Sequence, residues 1–463
     1  MSHVAHPPPL KCTYVTNNHW ELDPSLLPSS YTDQTIAELV FQFFQNTPPS
    51  PKNIYTPTIS WQGKESSVGE QESEKRVKRR AFFVPGAVYF PESHKTMERK
   101  NAYEGGYKTG RPILHAFNRQ ADEPMTEDAR PLLLFKNQQN EEVRTSRKCY
   151  DAMEREISAI FHFKEQQIPN VQVPIHKLQW VTRKNQRKRG FICERHLENF
   201  FLKFRYPAWK MPRKGLTEKD SVFKTFPKIP EQMAQVLISI SEANYLYRDC
   251  KPGNFLLSKE GKPILIDFDG CTHKTEGPTE PQFFVGSRVA CAPEYLFFLC
   301  WYKCLPPSYS ISPELVSLFV GEFTTIWALG ITFLEMDPYI RNLAPHLFRL
   351  ETAQYQQMPD VIRRRIRWVP EAFRKRVQDK HPEVKWELTR RAQGEHREMY
   401  REEIPCEKEI PCEDPILPCH QPSSNPWVQL IEKMLALDPQ ERPSLEEVLQ
   451  AIEIINKEPD ANS

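Results

Sequence analysis

The segment from Tyr247 to Leu257 constrains this chain more than any other, because it fixes the spacing of an acid, a base and an amide. Asp249 is followed by Lys251 and then by Asn254, and a short apolar run comes next. A second apolar run ends directly before another acid, Asp267. Any fold of this chain must therefore place these polar groups beside two apolar segments.

The two apolar segments predict a short β-hairpin. Phe255–Leu257 and Ile264–Ile266 are apolar and flank the polar turn Ser258–Lys262, which is the pattern of two buried strands. The pair Pro252–Gly253 favours a tight turn before the first strand. We expect this hairpin to hold the polar side chains on a rigid base, facing one pocket.

The polar groups suit phosphoryl transfer, which needs positioning and charge stabilisation more than covalent chemistry. Asp249 is placed to accept the proton of an incoming hydroxyl, and Lys251 to balance charge on the moving phosphoryl group. Asn254 and Asp267 offer oxygen ligands to a hard cation such as Mg²⁺. A simple hairpin with a solvated acidic loop does not require this combination.

In these residues the chain resembles the eukaryotic-type protein kinases, whose catalytic loop reads His-Arg-Asp-x-Lys-x-x-Asn and whose metal motif reads Asp-Phe-Gly. Here Tyr247 stands in the place of His and Asp269 in the place of Gly. The resemblance implies an α+β, bilobal fold, with a small antiparallel-sheet N-lobe carrying one key helix and a larger, mainly helical C-lobe. It also implies ATP and Mg²⁺ as cofactors, with Asp249 and Lys251 catalytic and with Asn254 and Asp267 as metal ligands.

The same resemblance assigns a nucleotide-binding pair upstream. Lys136 ends the apolar run Leu132–Phe135, as does the family's third-strand Lys that reaches the nucleotide phosphates. Its expected partner is Glu156 on a helix predicted over 146–162, with Glu154 as the rival. The alternative is that Glu156 is a surface residue in an exposed i,i+4 pair.

Two further strands and a hinge are expected after this helix. The runs 175–181 and 190–193 read as strands of the small lobe. By the family pattern, Glu194 to His196 form the hinge, whose backbone holds adenine, and Cys193 lies at the back wall of the pocket. Cys193, Glu194 and His196 therefore join the nucleotide-binding set.

Later motifs extend the resemblance to the C-terminal part of the chain. Ala292–Glu294 matches Ala-Pro-Glu, and 437–443 resembles the Asp-Pro-x-x-Arg-Pro motif, so Arg442 is expected to pair with Glu294. Ser287 in the Thr position resembles Ser/Thr kinases more than Tyr kinases.

Three departures from the family pattern bear on activity. The Gly-rich loop has one candidate, 105–113, in which the glycines are out of the usual order, and a plain loop is an equal alternative. Asp269 restricts backbone motion that Gly would allow. Thr325 stands where the family has the Asp that braces the catalytic loop.

These observations predict a domain organisation. Residues 1–80 are an N-terminal extension that is largely irregular, 81–203 the N-lobe, 204–455 the C-lobe with a charged insertion at about 336–425, and 456–463 a tail. The extension is expected to hold one amphipathic helix near 35–44. Its basic cluster Lys75–Arg80 reads as a solvated linker or as a nuclear-import or acidic-partner segment.

In the charged insertion, the spacing of Cys406, Cys412, Cys419 and His420 is not that of a zinc knuckle. A Pro-kinked loop is therefore favoured over a metal site.

Composition narrows the functional classes. Lys and Arg total 62 against 60 Asp and Glu, which gives a formal net charge of +2. A net charge this small does not indicate a nucleic-acid-binding protein. The 11 Cys are scattered, a pattern typical of reduced thiols. No secretory signal or membrane-length apolar run is evident. We therefore expect a soluble, intracellular protein, in cytoplasm or nucleus, with no membrane partner; its oligomeric state is not predicted.

The function that these patterns favour is transfer of the γ-phosphoryl group of ATP to Ser/Thr hydroxyls of a protein substrate. The alternatives are a pseudokinase scaffold that retains the fold and a small-molecule phosphotransferase. Arg248 beside the catalytic Asp also predicts control by phosphorylation, with Thr272, Thr275 and Thr279 as acceptors.

Overall fold

The computed structural model divides the chain into two compact units. The first comprises residues 1–164 and 172–195, and the second residues 165–171 and 196–463. The structure describes residues 11–16, 18–22, 33–49, 55–65, 75–84, 87–91, 109–110, 114–118, 132–136, 146–181, 187–193, 198–199, 215–274, 290–303, 311–344, 347, 368–384, 386 and 423–457.

In its described parts, the first unit combines ten strands with two helices. The strands are β1 Cys12–Thr16, β2 His19–Leu22, β3 Thr58–Glu65, β4 Lys75–Val84, β5 Ala87–Pro91, β6 Thr109–Gly110, β7 Leu114–Asn118, β8 Leu132–Lys136, β9 Pro174–Val181 and β10 Arg187–Cys193. The helices are α1 Asp33–Asn46 and α2 Ser146–Glu165. The strands form a six-stranded sheet in the order β1-β2-β3-β4-β5-β7 and a four-stranded sheet in the order β6-β8-β10-β9.

The six-stranded sheet packs against α1. Apolar residues of α1 recur at helical spacing, so Ile36, Val40 and Phe44 face the sheet in one buried cluster with Trp20 and Trp61. The Trp20 and Phe44 rings meet edge to face, with centroids 5.1 Å apart. Helix α1 connects the parallel strands β2 and β3. Its packing on the sheet buries apolar faces of the helix and of the sheet that neither could bury alone.

The prediction that residues 1–80 are largely irregular is therefore wrong for the described residues, although the helix near 35–44 is present as α1. The sequence predicts that the basic cluster Lys75–Arg80 is a solvated linker or a nuclear-import or acidic-partner segment, yet the cluster is the first part of β4 and pairs antiparallel with β3. Pairing uses backbone hydrogen bonds, which do not depend on side-chain charge. A charged run can thus belong to a strand whose remaining residues, Ala81–Val84, are apolar.

The predicted boundary at residue 80 also falls inside β4. Phe82 and Tyr89, from β4 and β5, form a second buried cluster with Leu178 and Ile192 of the four-stranded sheet. Thr56 reinforces this packing, because its N–H donates to Gln179 O at 2.6 Å. Residues of both sheets thus share this second cluster.

In its described parts, the second unit is mainly helical. Its helices are α3 Val222–Thr225, α4 Lys228–Glu242, α5 Pro293–Lys303, α6 Pro313–Phe319, α7 Glu322–Met336, α8 Pro338–Leu343, α9 Glu371–Lys380, α10 Pro426–Met434 and α11 Leu445–Lys457. Its strands are β11 Glu198–Asn199, β12 Tyr245–Leu246, β13 Phe255–Leu257, β14 Pro263–Leu265 and β15 Thr272–His273. They form a small sheet in the order β11-β13-β14 and the pair β12-β15.

Helix α7 runs through the core of the second unit, and every residue from Thr324 to Met336 is buried. By length and composition alone, the stretch Pro313–Met336 is apolar enough to cross a membrane, and 72% of its most apolar window is buried. A buried core helix of this length and apolarity passes the same test, so the observation is weak evidence for a membrane span.

The described part of the charged insertion contacts the second unit through aromatic side chains. Trp386 stacks on Phe297 of α5 with ring centroids 3.9 Å apart, and Phe373 of α9 meets Phe319 edge to face at 5.8 Å. Arg376 of α9 donates to both carboxylate oxygens of Asp438, at 2.6 and 2.8 Å. The segment with Cys406, Cys412, Cys419 and His420 lies outside the described residues.

Candidate active site

The predicted hairpin is present. Phe255 pairs with Leu265 and Leu257 with Pro263 in an antiparallel register. Gly261 closes the turn with φ of +77°, a left-handed conformation that Gly adopts without strain. The second strand is Pro263–Leu265 rather than 264–266, so Ile266 lies just beyond it.

The three polar residues before the hairpin form one hydrogen-bonded group. Lys251 Nζ lies 2.8 Å from Asp249 Oδ2, and Asn254 Nδ2 donates to the same oxygen at 3.0 Å and to Asp249 O at 2.8 Å. The side chain of Asp249 is 8% exposed and that of Lys251 is 29% exposed. A short helical turn, Pro252–Asn254, brings the amide back to the acid. This turn produces the predicted convergence of acid, base and amide.

Tyr247 connects this group to the strand that precedes Asp267. Its hydroxyl donates to Ile266 O at 2.8 Å and accepts from Asn254 Nδ2 at 2.9 Å. Ile266 N–H in turn donates to Asn254 O at 2.9 Å. Burial raises the pKa of Tyr247 well above its ordinary value, and the negative charges of Asp249 and Asp267 raise it further. The hydroxyl therefore stays protonated and can donate.

Asp267 follows the hairpin in a left-handed conformation, with φ of 63° and ψ of 75°. Non-Gly residues adopt this region rarely, and Asp tolerates it better than most. Such strained backbone is concentrated at functional sites. Asp267 is half-buried, so its carboxylate remains within reach of a ligand.

The side-chain oxygen atoms of Asn254 and Asp267 are suitable ligands for Mg²⁺. The Asn254 side chain donates three hydrogen bonds through Nδ2, and among the described residues no donor bonds to its Oδ1. Mg²⁺ characteristically takes one or two protein oxygens and completes its shell with water and phosphate oxygens. Asn254 Oδ1 and the Asp267 carboxylate are oxygens of the kind that Mg²⁺ takes. Among the described residues, no group of three or more His, Cys, Asp or Glu forms a separate metal site.

Arg248 is held inside the second unit. Its guanidinium donates to Thr272 Oγ1 at 2.9 Å, to the Tyr295 hydroxyl at 3.2 Å and to Gly270 O at 3.4 Å. Thr272, one of the three predicted phosphate acceptors, is 2% exposed. Thr275 and Thr279 lie outside the described residues, so the phosphorylation hypothesis stays a prediction for those two.

The predicted pair of Arg442 and Glu294 is confirmed. Arg442 donates to both carboxylate oxygens, at 2.6 and 2.9 Å, and the two side chains are 0% and 1% exposed. Arg442 also donates to Ala436 O and lies over the Trp327 ring, 4.8 Å from its centroid. These contacts tie the segment after Ala292 to the core helix α7.

Three of the predicted nucleotide-binding residues, Lys136, Glu156 and Cys193, lie on regular elements of the first unit. Lys136 ends β8, and its side chain lies outside what the structure describes. Glu156 lies on α2 and is 6% exposed, so the alternative of an exposed surface Glu is wrong. Cys193 ends β10, is fully buried and accepts from Gln172 Nε2 at 3.1 Å. Glu194 and His196 lie outside the described residues.

Most of the Gly-rich candidate 105–113 also lies outside the described residues. Its Thr109 and Gly110 form β6, which pairs with β8 opposite Lys136 and Phe135. This part of the candidate is therefore a strand neighbour of the predicted nucleotide-binding Lys.

One contact was not anticipated from the sequence. Thr325 Oγ1 donates to Tyr247 O at 2.7 Å. From the sequence, Thr325 was noted only because it replaces the Asp that braces the catalytic loop in the family. The signal that points to this contact is the hydroxyl itself, which can donate to a carbonyl where a carboxylate cannot.

Comparison with known families agrees with this geometry. A family model described as protein kinase domain matches residues 135–452, which is more than half of the chain. The chain therefore belongs to the protein kinase domain family, whose fold is bilobal.

Curated relatives are similar over shorter parts of the chain. "Serine/threonine-protein kinase 10-A" of Xenopus laevis is 29% identical over 178 residues, covering 37% of this chain and 16% of the relative. "Mitogen-activated protein kinase pmk-3" of Caenorhabditis elegans is 22% identical over 244 residues, covering 51% of this chain and 41% of the relative. "Mitogen-activated protein kinase 15" of Arabidopsis thaliana is 28% identical over 223 residues, covering 47% of this chain and 31% of the relative. The matches thus span less than half of each relative.

Proposed function

We propose that this protein is an ATP-dependent protein kinase that transfers the γ-phosphoryl group to Ser or Thr hydroxyls of a protein substrate. The observation that carries the proposal is the hydrogen-bonded group of Asp249, Lys251 and Asn254, whose Asn254 O accepts from the N–H of Ile266, the residue before Asp267. Membership of the protein kinase domain family and the Ser/Thr kinase relatives support the same reaction. Its location in cytoplasm or nucleus stays a prediction.

Each residue has a role in the proposed reaction. Asp249 accepts a hydrogen bond from the substrate hydroxyl and takes its proton, while Lys251 balances negative charge beside it. Asn254 Oδ1 and Asp267 hold Mg²⁺, which when bound neutralises the phosphate charge that develops during transfer. Lys136 and Glu156 form the pair that orients the α- and β-phosphates, and Cys193 with Glu194 and His196 lines the adenine site.

Two observations favour a protein kinase over a small-molecule phosphotransferase. Enzymes of the aminoglycoside or choline type share the Ile266–Asp269 pattern but lack a Lys in the role of Lys251. They also lack the Ala-Pro-Glu segment whose Glu294 binds Arg442 in this chain.

The experiment is a radiolabelled transfer assay with γ-labelled ATP, Mg²⁺ and a mixture of protein substrates, followed by phosphoamino-acid analysis. The wild type is expected to label Ser or Thr, and Asp249→Asn to lose roughly 100-fold or more in rate. Asp249→Asn is expected to keep a magnesium-dependent thermal shift with ATP, which Lys136→Ala loses.

Three results would contradict the proposal in different ways. ATP binding without any transfer by the wild type would favour the pseudokinase alternative. Labelling of a small molecule but no protein would favour the small-molecule enzyme. Equal transfer by wild type and Asp249→Asn would remove Asp249 from the chemistry.

A further inference from the structure

We propose that the ribbon formed by β3 and β4 binds the phosphate backbone of a double-stranded nucleic acid through one basic face. This site lies upstream of residues 135–452, which the kinase family model matches, and it is independent of the proposed phosphoryl transfer. It gives a role to the run Lys75–Arg80, which takes no part in the candidate active site.

The basic run is held in a regular strand. Strands β3 and β4 pair antiparallel over eight residues each, and Lys75–Arg80 occupy six of the paired positions in β4. Backbone pairing fixes the intervals between the basic residues, which an irregular linker would leave variable. A rigid array of cations binds a regular array of anions with less loss of conformational entropy than a flexible one.

The register places four basic residues on one face of the ribbon. Lys64 stands opposite Arg76, and Gln62 stands opposite Lys78. Cross-strand partners share a face and residues two apart on a strand return to it, so Arg80 belongs to the same face. We call this set the basic face: Gln62, Lys64, Arg76, Lys78 and Arg80. Its β4 cations repeat about every 6.8 Å, an interval comparable to that between successive phosphates of a nucleic-acid strand.

The basic face begins beside the core and extends away from it. Arg80 is half-buried, and its guanidinium carbon lies 5.9 Å from the ring centroid of Phe82, which belongs to the cluster shared with the four-stranded sheet. From Arg80 the ribbon continues for five more residue pairs, which is roughly 17 Å, and ends at the pair of Lys75 and Glu65. The array is therefore anchored at one end by the packing of the first unit.

The opposite face of the ribbon does not share this charge. There Glu65 stands directly across from Lys75, and Arg79 stands across from Trp61, which is buried in the cluster with α1. Positive charge is thus concentrated on the basic face. The formal net charge of +2 sums over the whole chain and does not describe such a local concentration.

The composition of the basic face favours nucleic acid over an acidic protein. Phosphate oxygens are bound by Arg, Lys and neutral donors such as Gln, and the guanidinium fork of Arg76 matches a phosphate with two parallel hydrogen bonds. Protein interfaces depend on apolar or aromatic anchors at their centre, and none of the five positions of the basic face is apolar.

The same composition favours a duplex over a single strand. Proteins that hold single strands stack the bases on aromatic side chains, and the basic face has no aromatic residue. A duplex presents its phosphates on the outside, with one negative charge for about every 1.7 Å of helix axis. Contacts to phosphate carry no base information, so we expect binding without sequence preference.

The test is fluorescence anisotropy of the full chain with a labelled DNA duplex of about 20 bp and arbitrary sequence, without Mg²⁺, between 50 and 200 mM salt. Four phosphate contacts predict a slope of log K against log salt of about −3.6, which is a loss of roughly 150-fold over this range. The combined variant Lys64→Gln, Arg76→Gln, Lys78→Gln is expected to bind at least tenfold more weakly at 50 mM salt, with a slope near −0.9.

The matched control removes three positive charges elsewhere. Lys219, Lys433 and Lys457 are exposed residues of the second unit, and their combined replacement by Gln is expected to leave the affinity and the slope near those of the wild type. Should the ribbon variant fail to fold, Arg76→Gln and Lys78→Gln decide singly, because each is expected to reduce the slope by about 0.9.

Four results would overturn the inference. The first is a wild type that does not bind the duplex at 50 mM salt, as expected if Glu70, Glu72 and Glu74 of the connection before β4 neutralise the basic face. The second is an equal loss of affinity in the ribbon variant and the control. The third is poly-glutamate that binds as tightly as the duplex, which would indicate an acidic protein partner. The fourth is single-stranded DNA of the same length that binds more tightly than the duplex.

Discussion

At the scale of single residues, the ion pair of Arg442 and Glu294 shows how geometry decides the effect of a buried charge. Both side chains are almost fully buried, and the two bonds of 2.6 and 2.9 Å are parallel and bidentate. Such a pair contributes little net stability compared with well-packed apolar residues at the same two positions. The loss of one partner, however, leaves an uncompensated buried charge. The pair therefore matters most for position, and its disruption is costly.

We predict that Glu294→Gln lowers the free energy of unfolding of the second unit by roughly 3–5 kcal/mol, because Arg442 keeps its charge without a counterion. Urea unfolding followed by tryptophan fluorescence measures this. Glu231→Gln is the control, since Glu231 pairs with Lys228 at the surface and such pairs contribute about 0–1 kcal/mol. Equal losses in the two variants would contradict this assignment.

At the scale of elements, the contact of α7 with α10 depends on a residue without a side chain. A Cβ added to Gly330 would lie 3.0 Å from Leu435 Cδ2 and 3.2 Å from Met434 Cβ. Both distances are shorter than ordinary contacts, so Gly330 allows the close approach of the two segments. Ala would gain about 1 kcal/mol of helix propensity and lose about 1–3 kcal/mol by overpacking.

We therefore predict that Gly330→Ala lowers the free energy of unfolding by about 1 kcal/mol, and Gly330→Val by more, because each added methyl group displaces Leu435 and Met434 further. Thermal unfolding of both variants beside the exposed control Gln235→Ala measures the effect. An increase in stability for Gly330→Ala would show that propensity outweighs the contact.

Strand β9 carries a pH-dependent group. Burial lowers the pKa of His176, and the positive charge of Lys164 lowers it further, so the unfolded state binds its proton more readily than the folded state. The stability that neutral His176 contributes is present above its unfolded pKa of about 6.5 and is lost as pH falls below that value.

We predict that the loss of stability of the first unit between pH 7.5 and pH 5.5 is smaller in His176→Gln than in the wild type, because Gln does not titrate. Thermal unfolding at the two pH values checks this, with the exposed residue Lys177→Gln as control. An identical pH dependence in His176→Gln and the wild type would contradict the assignment.

At the scale of the whole molecule, the parts predicted from sequence are the local ones. Asp249, Lys251 and Asn254 converge because a short helical turn connects them, and the hairpin that follows is the predicted one; both have clear residue signatures. The pair of Arg442 and Glu294 spans a long interval of sequence, and only the family resemblance indicated it.

The parts that sequence did not predict depend on tertiary context. The first part of β4 was not predicted, because the mostly basic run Lys75–Arg80 resembles a solvated linker, whereas its pairing with β3 decides its structure. The bond from Thr325 to Tyr247 was missed because a sequence shows a residue type but not the direction of a hydrogen bond.

The chain as a whole thus joins a protein kinase domain to a sheet that extends it at the N-terminal side, since the family match begins at residue 135 and the six-stranded sheet begins at Cys12. Strands β4 and β5 of that sheet share a buried cluster with β9 and β10. The N-terminal sheet is therefore part of the core of the first unit rather than a loose appendage.

The most direct test of the central claim is a crystal structure of the full chain with Mg²⁺ and a non-hydrolysable ATP analogue. We expect a magnesium ion bound by Asn254 Oδ1 and by the Asp267 carboxylate at about 2.0–2.1 Å, with the Asp249 carboxylate facing the terminal phosphate. A nucleotide bound elsewhere, or a metal ion that contacts neither Asn254 nor Asp267, would contradict it.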